Sequence, residues 1–413
     1  MKMFLLSAAA LLAGLTAPTI ANAAEPVGKF PAANLTLSRW AGDPWTAAQV
    51  KAAEAWSKAT GGKITIDAIP YENLHDKDSL EMSNGTYDIM YVHPSWFGEF
   101  AAAGALLPID DMLGADKDKY LPGVLSQGAY QGKQYCLPDF VSSIIVAYRK
   151  DLFEKAGLQP PKTLDDIVAD AAKLNGNGIA GVTLPGKKAG AVADVMGALV
   201  TAYGTWWYDK SGKPSLDAAA ASKALAFYGA VAKYAPAGIL NFHVDEVATA
   251  AAQGQAAMAI STTPSLSALE DPKRSSTVGK WGYAPLAVTA DKPSGELIYW
   301  NWCINAASKN PKAAYSFLQY WTSGDQQAAV AKAAATAGAT KDFYENKDLL
   351  ASLPFLPAMQ AALQNANPQP SLSVWPKAQD AIELDTQAVI QGQMTPDKAA
   401  ADIEAQLKQI LTQ

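Results

Sequence analysis

Tyr87-Asp88-Ile89-Met90-Tyr91-Val92-His93-Pro94-Ser95-Trp96-Phe97 decides how the rest of the chain is read. Ile89 to Val92 run without a polar break, the pattern of a strand covered on both faces. Pro94 then opens a helix, since its missing N–H costs little in the first turn. Upstream, Leu35 to Trp40 reads as a strand, Trp45 to Lys58 as a helix stopped at Gly61-Gly62, and Lys63 to Ile69 as a second strand. Leu80 to Ser83 closes another helix at Asn84-Gly85. This βαβαβα order predicts a parallel sheet with helices on both faces.

A second α/β set follows Pro138. Strands are predicted at Val141–Tyr148, Ile179–Leu184, Met258–Ser261 and Ile298–Ile304. Thr163 is placed to cap a helix through Leu174, with further helices near 191–203 and 216–234. The last hundred residues read as largely helical, and no period of about 20–50 residues suggests a solenoid. A chain of 413 residues exceeds one ordinary core, so two or three domains are expected.

Composition narrows the function. A net charge of −6 argues against a nucleic-acid partner. Three histidines leave little for a histidine-rich metal centre, whereas eleven tryptophans supply many large aromatic surfaces. Met1-Lys2-Met3, the apolar run Phe4–Leu15 and Ala21-Asn22-Ala23 form the three parts of a cleavable signal peptide covering 1–23. No cysteine stands near that cleavage point, so the expected product is a secreted, soluble protein without a lipid anchor, and the family resemblance described below implies a periplasmic one.

The catalytic patterns fail on context. Gly176-Asn177-Gly178-Ile179-Ala180-Gly181 fits GxGxxG, but a helix precedes it and a strand follows, the reverse of a dinucleotide turn. Gly181 to Lys188 nearly matches a phosphate loop, yet Lys188 replaces the metal-binding hydroxyl. His75, His93 and His243 are far apart, and His75 and His243 are read as surface residues. No catalytic residue, metal site or cofactor is expected. The 39 acids still leave paired carboxylates for glycoside hydrolysis open.

Several stretches together resemble one family. Asn84–Met90, Trp96-Phe97 and Ala103-Gly104-Ala105-Leu106-Leu107-Pro108-Ile109-Asp110 are similar to the first signature of the extracellular solute-binding proteins of family 1. These are the sugar-binding components of ABC importers, a group that includes the maltose-binding protein. Gly132–Pro138, Tyr148–Leu158, Pro160–Asp166, Gln253–Met258, Ile304–Ala314 and Gly392–Ala400 continue the resemblance in family order. One departure is Gly338-Ala339-Thr340-Lys341, where many members carry a Pro–x–Arg segment.

The resemblance implies an α/β, two-lobed periplasmic binding protein fold of type II, with a ligand cleft between lobes joined by hinge strands. Residues 24–136 and 304–353 would form one lobe, and 137–303 with 354–413 the other, including the C-terminal helices. Crossings would fall near Cys136–Pro138, Trp302–Ile304 and Leu353–Pro357. Ligand would be enclosed by hinge closure and passed to ABC transporter permease subunits, the binding protein acting as a monomer. Trp40, Trp96, Trp206, Trp207 and Trp300 become candidate platforms for the C–H faces of a sugar or sugar alcohol. Asp43, His93, Asp139 and Asn301 are the candidate hydroxyl partners, while Trp56, Trp281, Trp321 and Trp375 are assigned to packing. If the crossing strands pair, Cys136 and Cys303 can form a disulfide; two buried free thiols are the other reading. A phosphorylated polyol as ligand, and a secreted carbohydrate-active enzyme, are the alternative functions.

Overall fold

The computed structural model describes residues 26–41 and 46–412. The signal peptide and Asp43 lie outside the described residues. In chain order the first layer contains β1 (Asn34–Trp40), α1 (Thr46–Thr60), β2 (Lys63–Ile69), α2 (Tyr71–Glu81), β3 (Ile89–Val92), α3 (Pro94–Ala102) and β4 (Cys136–Pro138). There follow β5 (Ile144–Arg149), α4 (Leu164–Leu174), α5 (Ala191–Ala202), α6 (Ala218–Ala232), α7 (Val244–Ala252), β6 (Met258–Thr262), β7 (Trp281–Ala287) and β8 (Asn301–Ile304). Helices α8 (Pro311–Trp321), α9 (Gly324–Ala334), α10 (Leu356–Leu363), α11 (Trp375–Ile390) and α12 (Pro396–Ile410) complete the chain.

Local chemistry sets these boundaries. Pro94 occupies the first turn of α3, and the His93 side chain caps it by accepting from Ser95 N–H. Thr163 Oγ1 accepts from Asp166 N–H at 3.1 Å while the Asp166 carboxylate accepts from Thr163 N–H at 3.0 Å, a reciprocal cap on α4. Every residue of β3 is buried, as its unbroken apolar run requires.

The five-stranded sheet has the order β2-β1-β3-β8-β4. β1 pairs in parallel with β2 and β3, but β8 runs antiparallel to both β3 and β4. The wholly parallel sheet expected from element order is therefore corrected to a mixed one. Its physical cause is that the chain leaves along β4 and returns alongside it on β8, in the opposite sense. The second sheet holds Pro293–Ser294, β7, β5 and β6 in that order, and its pairings are all antiparallel. The strand expected at 179–184 makes only two parallel bridges, at Ala180 and Thr183. Between them Gly181 N–H turns to Asn175 Oδ1 and Val182 N–H to Tyr234 O. β7 was not anticipated, because Gly282 and Pro285 interrupt its apolar pattern.

Helices α8 and α9 pack with α1 on the first sheet, while α10 packs on β5 and β7, and α11 and α12 on α6. The chain thus passes from one sheet to the other three times: after β4, into β8, and between α9 and α10. The first two passages lie side by side. Asp139 N–H donates to Trp300 O at 2.8 Å, and Ser142 and Ile298 exchange backbone bonds at 2.9 and 3.0 Å. Trp56 and Trp321 are fully buried and Trp281 and Trp375 nearly so, filling the cores around these layers. Among the described residues no helix is long and apolar enough to cross a membrane.

Cys136 and Cys303 face each other in the β4–β8 register and are joined by a disulfide with Cα atoms 4.3 Å apart. The bridge closes a separation of 167 residues, for which the chain-entropy model gives up to about 5 kcal/mol. Denatured, unreduced protein should accordingly show no reactive thiol on titration, and a Cys136→Ser, Cys303→Ser double variant should lose about 2–5 kcal/mol of stability. Two titratable thiols per chain would refute the bridge.

Candidate functional site

The carboxyl ends of β1, β2 and β3 converge on one cavity. β1 ends at Trp40, β2 leads through Pro70 to Tyr71, and β3 leads to His93. Trp300 joins them from the residue before β8, since an antiparallel strand starts where its parallel neighbours end. The facing wall comes from the second sheet and its helices: Thr262 at the end of β6, Ser265 and Ser267 just beyond, and Asp194 in the first turn of α5. His243 and Asp245 at the start of α7, Arg274 and Gln369 complete it. The cavity volume is about 110 Å³.

The first wall is aromatic and continuous. The Trp300 ring centroid lies 4.6 Å from Tyr91, 4.8 Å from His93, 4.9 Å from Trp40 and 5.8 Å from Trp96. Tyr71 sits 6.0 Å from Trp40 and reaches across to His243 at 5.5 Å. Apart from the stacked Tyr91–Trp300 pair, most of these rings are tilted or edge-on, so they hold one another rigidly at low rotamer cost. Gly190, at φ +98°, carries the loop that faces Tyr71; a Cβ there would lie 3.4 Å from the Tyr71 hydroxyl in a backbone region costly for other residues.

The second wall is rich in acceptors. Gln369 Nε2 donates to Asp194 Oδ1 at 2.8 Å. Behind Asp194, Glu383 Oε1 accepts from Gly190 N–H at 2.7 Å, and buried Glu296 packs against α5 at Gly197. Burial pushes Asp194 and Glu383 up to about 7, against the Gln369 amide and the α5 N–H groups that favour their charged forms. Glu296 is raised well above the carboxylate range by burial and by Asp194. His93 is held at about 3 by burial. Its Nδ1 accepts from Ser95 N–H at 3.3 Å, so the neutral ring carries its proton on Nε2 and offers one donor.

The residues singled out in the sequence separate into groups. Trp40, His93 and Trp300 line the cavity, and Trp96 packs behind them, 6.2 Å from Tyr71. Asp139 is fully buried beneath the cavity floor, with its oxygens engaged by Tyr91 and Trp321. Asn301 is fully buried on the face opposite Trp300 and Trp302, as strand alternation requires, beside the disulfide. Trp206 and Trp207 pack together at 5.8 Å, with Trp207 6.0 Å from Trp375, away from the cavity lining. The surface reading of His243 is corrected: it is half-buried in the cavity wall, with Nε2 3.2 Å from Ala189 O. Gly338 to Lys341 lies elsewhere, with Thr340 bridged to Tyr120.

The site missed Tyr71, Asp194, Asp245 and Gln369 at the level of sequence. Tyr71 carried a usable signal, an aromatic residue just past a predicted strand end, the same logic that found Trp40 and His93. Asp194 and Gln369 carried none, because one sits inside a helix pattern and the other in an irregular loop.

Two α/β layers, joined by paired crossing strands and holding a cavity at their strand ends, are the architecture of the periplasmic binding protein fold. The profile of the bacterial extracellular solute-binding proteins matches residues 42–328, and the chain belongs to that family. It has the α/β periplasmic binding protein fold and is an ABC transporter solute-binding component, not an enzyme. A mannitol-binding protein of Pseudomonas aeruginosa is 29% identical over 351 residues, covering 78% of this chain and 80% of its own. A probable amino-acid ABC transporter periplasmic-binding protein of Sinorhizobium fredii is 25% identical over 378 residues, covering 86% and 84%. An Agrobacterium radiobacter solute-binding protein solved with ribitol superposes with a TM-score of 0.80 at 26% identity, covering 92% of this chain and 98% of that one.

Proposed function

We propose that this chain captures an uncharged polyol or small sugar in the periplasm and delivers it to its ABC permease. The observation that carries this reading is the pairing of one aromatic wall with one wall of hydroxyl-binding groups. Trp40, Tyr71 and Trp300 offer flat apolar faces to ligand C–H groups, while Asp194, Gln369, Thr262 and Ser265 offer partners for hydroxyls. At about 10–15 Å³ per water-sized group, the 110 Å³ cavity takes roughly seven to eleven such groups. That favours a single five- or six-carbon unit over an oligosaccharide.

The lobes in this reading are 24–136 with 304–353, and 137–303 with 354–413, closing about the paired crossing strands. Ligand that touches both walls selects the closed state by its additional contacts there. A phosphorylated polyol is disfavoured, since Arg274 is the single arginine in a lining that also holds Asp194 and Asp245. The same three residues favour a second reading, a zwitterionic solute with its ammonium at a carboxylate and its carboxylate at Arg274.

Titration calorimetry of the mature chain with D-mannitol, ribitol, glucose, maltose and a set of amino acids tests both. The expected result is a Kd of about 1 µM or tighter for a polyol or monosaccharide, worth roughly 8 kcal/mol, with ligand recovered unchanged. Tight binding of an amino acid alone would favour the second reading. No sub-millimolar binding of any polyol or sugar would sink the first.

A further inference from the structure

Resting on the reading that the two layers close about their crossing strands, we infer that Gly98 is a positioning residue for closure. Its missing side chain lets α3 seat on the backbone of Ser371–Ser373 in the closed form alone, so ligand affinity depends on a residue that does not line the cavity. A Cβ at Gly98 would lie 2.0 Å from Ser371 O, 2.8 Å from Ser373 N and 2.9 Å from Leu372 C. All three are backbone atoms, which cannot swing aside as the end of a flexible side chain would. Gly98 sits inside a helix, where glycine is disfavoured against alanine. Close approach, not an unusual dihedral, is what calls for glycine here.

The two partners hang from opposite walls of the cavity. His93 lines the first wall and caps α3, and Gly98 follows Pro94 by four residues, about 6 Å along the helix axis. Buried Phe97 and Phe100 anchor that helix in the core. Gln369 lines the second wall, two residues before Ser371. Its segment is fixed to the second layer: Asn367 and Pro368 pair in parallel with Glu296 and Leu297, and Gln369 N–H donates to Leu297 O at 3.1 Å. Asn367 Nδ2 also donates to Thr201 Oγ1 of α5 at 3.1 Å. A hinge opening that parts the cavity walls therefore parts Gly98 from Ser371. A side chain at position 98 is then a wedge that the open form tolerates and the closed form does not. It lowers the closed population, and apparent affinity falls by the same factor. Permanent packing predicts the opposite: a side chain forced against backbone destabilises the free chain and leaves affinity alone.

Denaturant titration of the free mature chain and calorimetry with D-mannitol separate the two. The variants are Gly98→Ala, Gly98→Leu and, at an exposed position of the same helix, Ala102→Leu. Both Gly98 variants should keep the wild-type denaturant midpoint without ligand, the alanine variant matching or exceeding it. They should bind D-mannitol at least 10-fold and at least 100-fold more weakly, while Ala102→Leu binds within twofold of wild type. In small-angle X-ray scattering the radius of gyration should fall on adding D-mannitol to wild type and stay at the open value in Gly98→Leu. A Gly98→Ala chain whose free form loses its midpoint while affinity stays within threefold overturns the inference and leaves the polyol reading standing. So does a Gly98→Leu chain that contracts with D-mannitol as wild type does. Wild type that binds no sugar or polyol of the wider panel overturns the polyol reading. The free-chain midpoint of Gly98→Ala then decides the inference alone: a fall refutes it, and an unchanged or higher value upholds it.

Discussion

Replacing Trp300 by alanine should weaken ligand capture at least 100-fold while leaving a folded, less stable chain. Trp300 is only 4% exposed, and five aromatic or imidazole rings lie within 6.1 Å of its centroid: Trp40, Tyr71, Tyr91, His93 and Trp96. It is therefore the ring on which the others lean. Removing it deletes one of the two indole surfaces in the lining and frees Trp40 and His93 from the orientation that points them at the cavity. Truncating a buried aromatic side chain also costs about 3–5 kcal/mol of stability through the void it leaves. The two effects separate by experiment. Circular dichroism and denaturant titration report the stability loss, and calorimetry below the new transition reports the loss of binding. Trp300→Phe should recover most of the stability and part of the affinity, since it keeps a ring but shortens the platform. Unchanged affinity in folded Trp300→Ala would remove the aromatic wall from the ligand site.

That Trp40 and His93 could be singled out from sequence at all has a local cause. The strand preceding His93 is a run of buried residues bounded by Pro94, and Trp40 likewise stands where a strand meets a glycine-containing loop. Side chains at such boundaries are placed by the strand itself, and the strand is written in consecutive residues. The acceptor wall obeys no such rule. Asp194 lies in the first turn of a helix whose apolar pattern runs nearly unbroken, and only packing against β-segment 296–297 and the 367–369 loop brings Gln369 to it. Asp194 and Gln369 are 175 residues apart in sequence. Sheet order escaped for the same reason: local periodicity names strands, but the antiparallel return of β8 is fixed by long-range pairing with β3 and β4. His243 looked like a surface residue because it is a polar residue at a helix start, and what covers it is Tyr71 from the other layer.

Asp139 tests the boundary between binding and structure most sharply, because the same residue serves two opposite expectations. A carboxylate that binds ligand hydroxyls should, on Asp139→Asn, change affinity with stability nearly kept. The geometry favours the reverse. Asp139 is fully buried; Tyr91 donates its hydroxyl to Oδ2 at 2.8 Å and Trp321 its indole N–H to Oδ1 at 2.7 Å. Arg39, also fully buried, has its guanidinium carbon 5.4 Å from the Tyr91 centroid, and its proton affinity, lowered by burial, is raised in part by Asp139. Asp139, itself raised by burial, thus favours the charged form of Arg39 and ties the crossing strand to α8. Asp139→Ala would take the acceptor from three donors at once, the Tyr91 hydroxyl, the Trp321 indole and the Gln327 amide, for an expected loss of about 3–5 kcal/mol. Asp139→Asn keeps one acceptor and should cost less than alanine, because the charge but not every hydrogen bond is lost. Affinity measured on the folded fraction should stay within about threefold of wild type for Asp139→Asn. A tenfold or larger loss of affinity with unchanged denaturant midpoint would instead place this carboxylate in contact with ligand.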